Sequence, residues 1–180
     1  VLERHARERP LRLLELGAGD GSLMLRIAHS VSRDWPPVQL TLLDRQALVD
    51  AATCAAFARC GWNAQPLVMD VLEWAAAPPP QAPPWDLIVT NLFLHHFDAA
   101  RLPRLLAAIA ARCNAFIACE PRRAPLPLLG SRLIGAVGVN AVTRHDAVLS
   151  VHAGFRGTEI SAAWPADRTG WQLREHAAGL

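Results

Sequence analysis

Three glycines at alternate positions, with carboxylates and imidazoles at the ends of apolar runs, are the parts of this chain equipped for chemistry. Gly17, Gly19 and Gly21 sit in Glu15-Leu-Gly-Ala-Gly-Asp-Gly21. Such a run takes positive φ freely and leaves the backbone bare, so that a ligand can lie against it. Leu23, Met24, Ile27 and Ala28 follow at helical spacing. A helix starting there presents open N–H groups and the positive end of its dipole to polar or anionic ligand groups. Asp44 closes a second apolar run, where a carboxylate is placed to accept hydrogen bonds from both hydroxyls of a ribose. His95 and His96 follow a fourth such run, and an imidazole, which exchanges protons near neutral pH, suits the base that an oxygen nucleophile calls for. His145 beside Asp146 is a second base candidate, because a carboxylate can fix an imidazole tautomer, although neighbours on a helix do not face each other. Packing and helix capping are the competing roles for these histidines.

The glycine spacing also excludes chemistry. Dinucleotide-binding turns read G-x-G-x-x-G, whereas this one reads G-x-G-x-G with an acid two residues ahead. A chain without lysine contains no G-x-x-x-x-G-K-[ST] phosphate loop.

The elements that must position these residues alternate. Strands are expected over Leu11–Leu16, Val38–Leu43, Gln65–Met69, Trp85–Thr90 and Asn114–Cys119. Helices are expected from Ser22, over Gln46–Cys60 with Gly61 at its end, and from Asp98 to about Ala111 with Pro103 near its start. The alternation predicts an α/β fold, a doubly wound and mostly parallel sheet with helices on both faces. Val1–Arg9 reads as the tail of a helix, 75–84 as a proline-rich connector, 143–152 and 157–164 as short helices, and 170–176 as a sixth strand.

The glycine run, Asp44, Asp70 and Asn91-Leu-Phe-Leu-His-His-Phe97, in that order between Leu11 and about Pro121, resemble the landmarks of class I S-adenosylmethionine-dependent methyltransferases, in particular small-molecule enzymes. The resemblance implies a Rossmann-like fold and S-adenosylmethionine as cofactor. Glu15, Gly17, Ala18 and Gly19 would hold its methionyl part, Asp44 and Arg45 the ribose side, and Asp70 and Val71 the adenine. Asn91 and Leu92 would lie under the sulfonium. A seventh antiparallel strand would close the sheet, and the short lead before Leu11 and the four residues after His176 imply a domain that continues at both ends.

The segment 124–142 follows the fifth strand, where this family builds substrate walls. Its leucines, with Arg122 or Arg123, lead to the expectation of a substrate-side insertion holding a hydrophobic or aromatic small acceptor, O-methylated by preference. Two alternatives stay open, a non-catalytic S-adenosylmethionine-binding subunit and an NAD-dependent oxidoreductase.

With 52% hydrophobic and 19% charged residues over 180 positions, the chain is expected to form one domain, 1–180, with a substantial core. A net charge of +2 and scattered arginines give no argument for nucleic acid. The most apolar stretch is broken by prolines, glycines and Arg132, which speaks against a membrane span. Cys54, Cys60, Cys113 and Cys119 lack C-x-x-C spacing and read as buried apolar residues, with no metal site and a cytoplasmic location expected.

Overall fold

The computed structural model describes residues 9–31, 35–78, 82–123, 154–167 and 169–176. These residues form two compact units, one of those up to 91 together with 107–118 and one of 92–106 together with those from 119 onward.

The first unit is built on a parallel sheet. β1 (Leu11–Leu16) is apolar on both faces, as a strand covered from both sides must be, and Leu11, Leu13, Leu14 and Leu16 are buried. It pairs with β2 (Val38–Asp44) from Leu11↔Val38 to Leu16↔Leu43, and with β4 (Leu87–Asn91) from Leu13↔Leu87 to Leu16↔Thr90. β3 (Trp62–Val68) pairs with β2 from Val38↔Trp62 to Asp44↔Val68, and β5 (Phe116–Cys119) completes the order β3-β2-β1-β4-β5. The third strand thus begins three residues before the position expected from its apolar run. Its Pro66, which has no N–H to give, is accommodated because β3 is an edge strand.

Helix α1 (Ser22–Ser30) packs on α2 (Ala51–Arg59). Met24, Ala28, Phe57 and Trp62 join Leu11, Leu13, Leu40, Leu42 and Val89 in one buried cluster. α2 starts five residues later than its alanine-rich sequence suggests, because the Asp50 carboxylate accepts the Thr53 N–H at 2.7 Å and fixes the first turn there. Asp70 does the same for α3 (Val71–Ala76), accepting from Leu72 at 2.7 Å. α3 shortens the connector read from the sequence. Asp98 receives the N–H groups of Ala100 and Arg101 ahead of α4 (Leu102–Ala110), which carries Pro103 in its first turn as expected.

In the second unit, Arg122 pairs with Phe155, and α5 (Glu159–Ala163) lies within the helix expected at 157–164. The expected sixth strand is not one. Residues 171–176 carry no ladder pairing. They are held by side chains instead, Trp171 against Trp164 with ring centroids 4.8 Å apart and Glu175 accepting the Ser161 N–H. The readings of 1–8, 124–142 and 143–152, His145 included, lie outside the described residues.

Gly154 allows a close approach in this unit: a Cβ there would stand 2.3 Å from the Pro121 carbonyl oxygen. Gly154→Ala is therefore expected to destabilise the unit by about 2 kcal/mol or more, since a backbone atom must shift. Denaturant melts in which the variant matched the parent would contradict this contact.

Candidate active site

Strands β1, β2 and β3 run outward in one direction from β1, and β4 and β5 lie on its other side. The order reverses between β1 and β4, and open α/β sheets hold ligands beyond the carboxyl ends of strands at such a point. The glycine turn follows β1 there, and Asn91 ends β4.

Gly17, Gly19 and Gly21 have φ of 73°, 55° and 77°, the left-handed region that only glycine enters at low cost. The N–H groups of Gly17 and Ala18 both donate to the Leu43 carbonyl, at 2.9 and 3.0 Å, which ties the turn to the end of β2. Gly21 is also confined, since a Cβ would come within 3.2 Å of the Leu42 side chain, whereas at Gly19 it would meet nothing within 4 Å. The turn is packed from behind and open at Gly19.

Asp44 stands beside this opening. One carboxylate oxygen, Oδ2, accepts the Gly19 N–H at 2.9 Å and the other, Oδ1, accepts the Gln46 N–H at 2.9 Å. Each carboxylate oxygen has a second lone pair. Asp44 is thus locked in place with acceptor capacity left on both oxygens, the arrangement a vicinal diol requires. Arg45, next to it, is exposed.

Glu15 is the unusual residue of the turn. It lies on the same face of β1 as Leu11 and Leu13, with Leu42 and Val89 as register partners, and is 2% exposed. Its Oε2 has no hydrogen-bond partner. Burial, and next the charges of Asp20 and Asp44, push its carboxyl up to about 8. Asp20 is itself held below the ordinary carboxylate range by its hydrogen bonds with Ser22. A buried acid with one oxygen unpartnered at the mouth of a bare turn fits a ligand that brings a cationic or donating group.

Asp70 and Val71 occur just past the carboxyl end of β3, but Asp70 spends Oδ1 on capping α3, a role its place after an apolar run does not announce. Its Oδ2 is the oxygen left for a ligand. Val71 is buried, and Asn91 is half-buried at the end of β4.

In the second unit, Leu92 takes φ of 50°, the one positive-φ residue other than glycine among the described residues. Its N–H donates to the Cys119 carbonyl at 2.8 Å, while the residue stays 55% exposed. A bulky side chain in this conformation is strained. Leu92 leads into a 3-10 turn, Leu94–His96, organised by Glu120. Glu120 Oε1 accepts the N–H groups of Phe93 and Leu94 at 3.0 and 2.8 Å, and Oε2 lies 3.3 Å from the His95 N and 2.9 Å from its Nδ1. The side chains of His95 and Glu120 are 4% and 3% exposed. With a carboxylate at Nδ1, that nitrogen carries the proton, and in the neutral imidazole the lone pair sits on Nε2. His96 is exposed, its ring 4.2 Å from that of His95. Glu120 was missed in the sequence. Its signal was its place, an acid directly after the fifth strand, where ligand-facing residues of such sheets gather.

The second unit also holds a cavity of about 270 Å³ lined by Phe97, Leu102, Pro103 and Phe155 together with Arg123 and Glu159. Arg123, one of the two arginines named for the acceptor side, is paired with Glu159 at 2.5 Å. Of the cysteines, Cys113 alone is buried, which pushes its thiol up to about 12, whereas Cys119 is exposed and the other two are half-buried. All four are free thiols, and no cluster of three metal-ligating side chains occurs among the described residues. No helix among those residues is long and apolar enough to cross a membrane.

No protein-family model matches the chain, and no curated protein sequence matches it. Solved structures do. A candidate O-methyltransferase of Nostoc punctiforme PCC 73102 is similar at a TM-score of 0.50 and 17% identity, over 83% of this chain and 48% of that one. A structure describing conversion of a disulfide bond into a thioacetal group during echinomycin biosynthesis is similar at 0.50 and 18%, over 82% and 64%. The magnesium protoporphyrin IX methyltransferase of Synechocystis PCC 6803 with bound SAH aligns at 0.48 and 13%, over 83% and 67%. The chain spans 33% of the citrinin polyketide synthase CMeT domain structure and about half of the Nostoc protein. The fold of this chain is the Rossmann-like fold of class I methyltransferases.

Proposed function

We propose that the chain binds S-adenosylmethionine and transfers its methyl group to a small hydrophobic or aromatic acceptor, preferably at oxygen. The observation that carries this reading is the turn after β1, bare at Gly19 and flanked by a locked Asp44 carboxylate and the partnerless Glu15 oxygen. Glu15, Gly17, Ala18 and Gly19 would hold the methionyl end, Asp44 with Arg45 the ribose, Asp70 Oδ2 and Val71 the adenine, and Asn91 and Leu92 the region of the sulfur. The cofactor, when bound, supplies an electrophilic methyl group.

The protein's part is placement, exclusion of water and removal of one proton. His95 takes the acceptor proton at Nε2. Glu120 fixes the tautomer through Nδ1 and stabilises the imidazolium that results. Phe97, Phe155, Leu102 and Pro103 give the acceptor apolar walls, which supports an aromatic or aliphatic group over a polar one.

Calorimetric titration with S-adenosylmethionine, S-adenosylhomocysteine and NAD tests the cofactor. The first two are expected to bind and NAD not to. Asp44→Ala is expected to weaken binding about 10- to 100-fold, the loss of charge-assisted hydrogen bonds to a diol. Tight NAD binding, or undiminished affinity in the variant, would sink the reading.

A further inference from the structure

Glu15, Asp20 and Asp44 bring three carboxyl groups to one turn. Two of them are satisfied, Asp20 by Ser22 and Asp44 by the Gly19 and Gln46 N–H groups. Glu15 is satisfied at most in part, since its Oε2 is buried away from water with no hydrogen-bond partner. Among the described residues, its surroundings supply no counter-charge. The register partners Leu42 and Val89 are apolar, the side chains of α1 that are buried are Met24 and Ala28, and Arg26, His29, Arg45, Asp50 and Arg59 are all exposed. An isolated carboxylate is costly in such a place, which favours the neutral acid.

We propose that Glu15 stores a proton in the ligand-free protein and gives it up to solvent when an ammonium-bearing ligand binds, so that occupancy of this turn is coupled to proton release. This inference rests on the cofactor reading for the ligand's identity and adds to it a linkage. The carboxyl O–H bond breaks, the proton leaves to buffer, and the carboxylate forms an ion pair with the ligand's ammonium group. A ligand that lacks the ammonium group leaves the proton where it was. Affinity for the amino-acid-bearing ligand then rises with pH across the neutral range, while affinity for the nucleoside part alone does not.

The test is titration with S-adenosylhomocysteine and with 5′-methylthioadenosine, each in phosphate and in Tris, whose ionisation enthalpies differ. Taking Glu15→Gln as the zero, S-adenosylhomocysteine is expected to release about 0.9 proton at pH 7 and about 0.1 at pH 9, following the carboxyl at about 8. Methylthioadenosine is expected to release none at either pH. Heats independent of buffer, or the same proton count in Glu15→Gln, would overturn the linkage while leaving the cofactor reading in place. No binding of either ligand would overturn the cofactor reading and the linkage with it. Should the variant fail to bind, the ligand-free parent still decides: the carboxyl carbon signal of Glu15 in NMR is expected to titrate above neutral pH. A midpoint in the ordinary carboxylate range would overturn the stored proton.

Discussion

Replacing His95 with alanine is expected to lower turnover with an oxygen acceptor by about 10²- to 10⁴-fold, the usual contribution of a positioned general base. Cofactor affinity is expected to stay within about twofold, because proton removal belongs to the chemical step and not to cofactor binding. The expectation rests on the way Glu120 holds the ring. A histidine that served packing alone would have no need of a buried carboxylate at Nδ1, nor would that carboxylate have to collect backbone N–H groups from Phe93 and Leu94 as well. Glu120→Gln separates the two functions of the acid. A glutamine can still accept from those N–H groups, but its NH₂ presented to Nδ1 favours the tautomer with the proton on Nε2, which cannot act as a base. Turnover is therefore expected to fall in Glu120→Gln also, and the acidic limb of the pH profile, set by the base, to vanish in His95→Ala. If His95→Ala kept full turnover and an unchanged profile, the base role would be rejected. His96→Ala is expected to leave a much larger share of turnover than His95→Ala, since the Glu120 carboxylate addresses the His95 ring.

The central strands were legible because they are covered on both faces and so read as near-continuous apolar runs, such as Leu11–Leu16 and Leu87–Asn91. The place of Asp44 was legible for the same reason: an acid that ends a strand is conspicuous, and Asp44 ends β2 beside the glycine turn. What escaped were roles decided by tertiary neighbours. Asp70 and Asp50 turned out to cap helices whose starts are set by local N–H groups and not by the apolar pattern. Glu120 gained its partner from residues 25 to 27 positions earlier in the chain, a pairing that no local spacing encodes. The supposed sixth strand shows the converse. Gly170-Trp-Gln-Leu-Arg-Glu-His176 alternates well enough, but alternation makes a strand only where a neighbouring edge supplies hydrogen bonds, and here Trp164 and Ser161 hold the segment through side chains.

Glu15→Gln is expected to stabilise the ligand-free protein in alkaline solution and to leave it nearly unchanged in acid. The sign follows from proton counts. The Glu15 carboxyl titrates at about 8 in the folded chain and at the ordinary 4.5 once unfolded. Between these values the folded state binds one more proton than the unfolded state, so stability falls as pH rises through that window. Each pH unit costs about 1.4 kcal/mol, or up to about 5 kcal/mol across the full window, a large share of what holds a domain of this size together. Below about pH 4.5 both states carry the protonated acid, the parent resembles the glutamine variant, and the difference closes. Above about pH 8 both are ionised and the gap stops growing. Denaturant midpoints of parent and variant from pH 5 to 9 would show two curves diverging with alkali, and because all other titrating groups are shared, the difference isolates Glu15. Parallel curves would mean that the side chain reaches water or a counter-charge in the free protein. The same buried acid that weakens the ligand-free protein in alkali gives the turn an attraction for cations, so the instability is relieved when an ammonium group binds there.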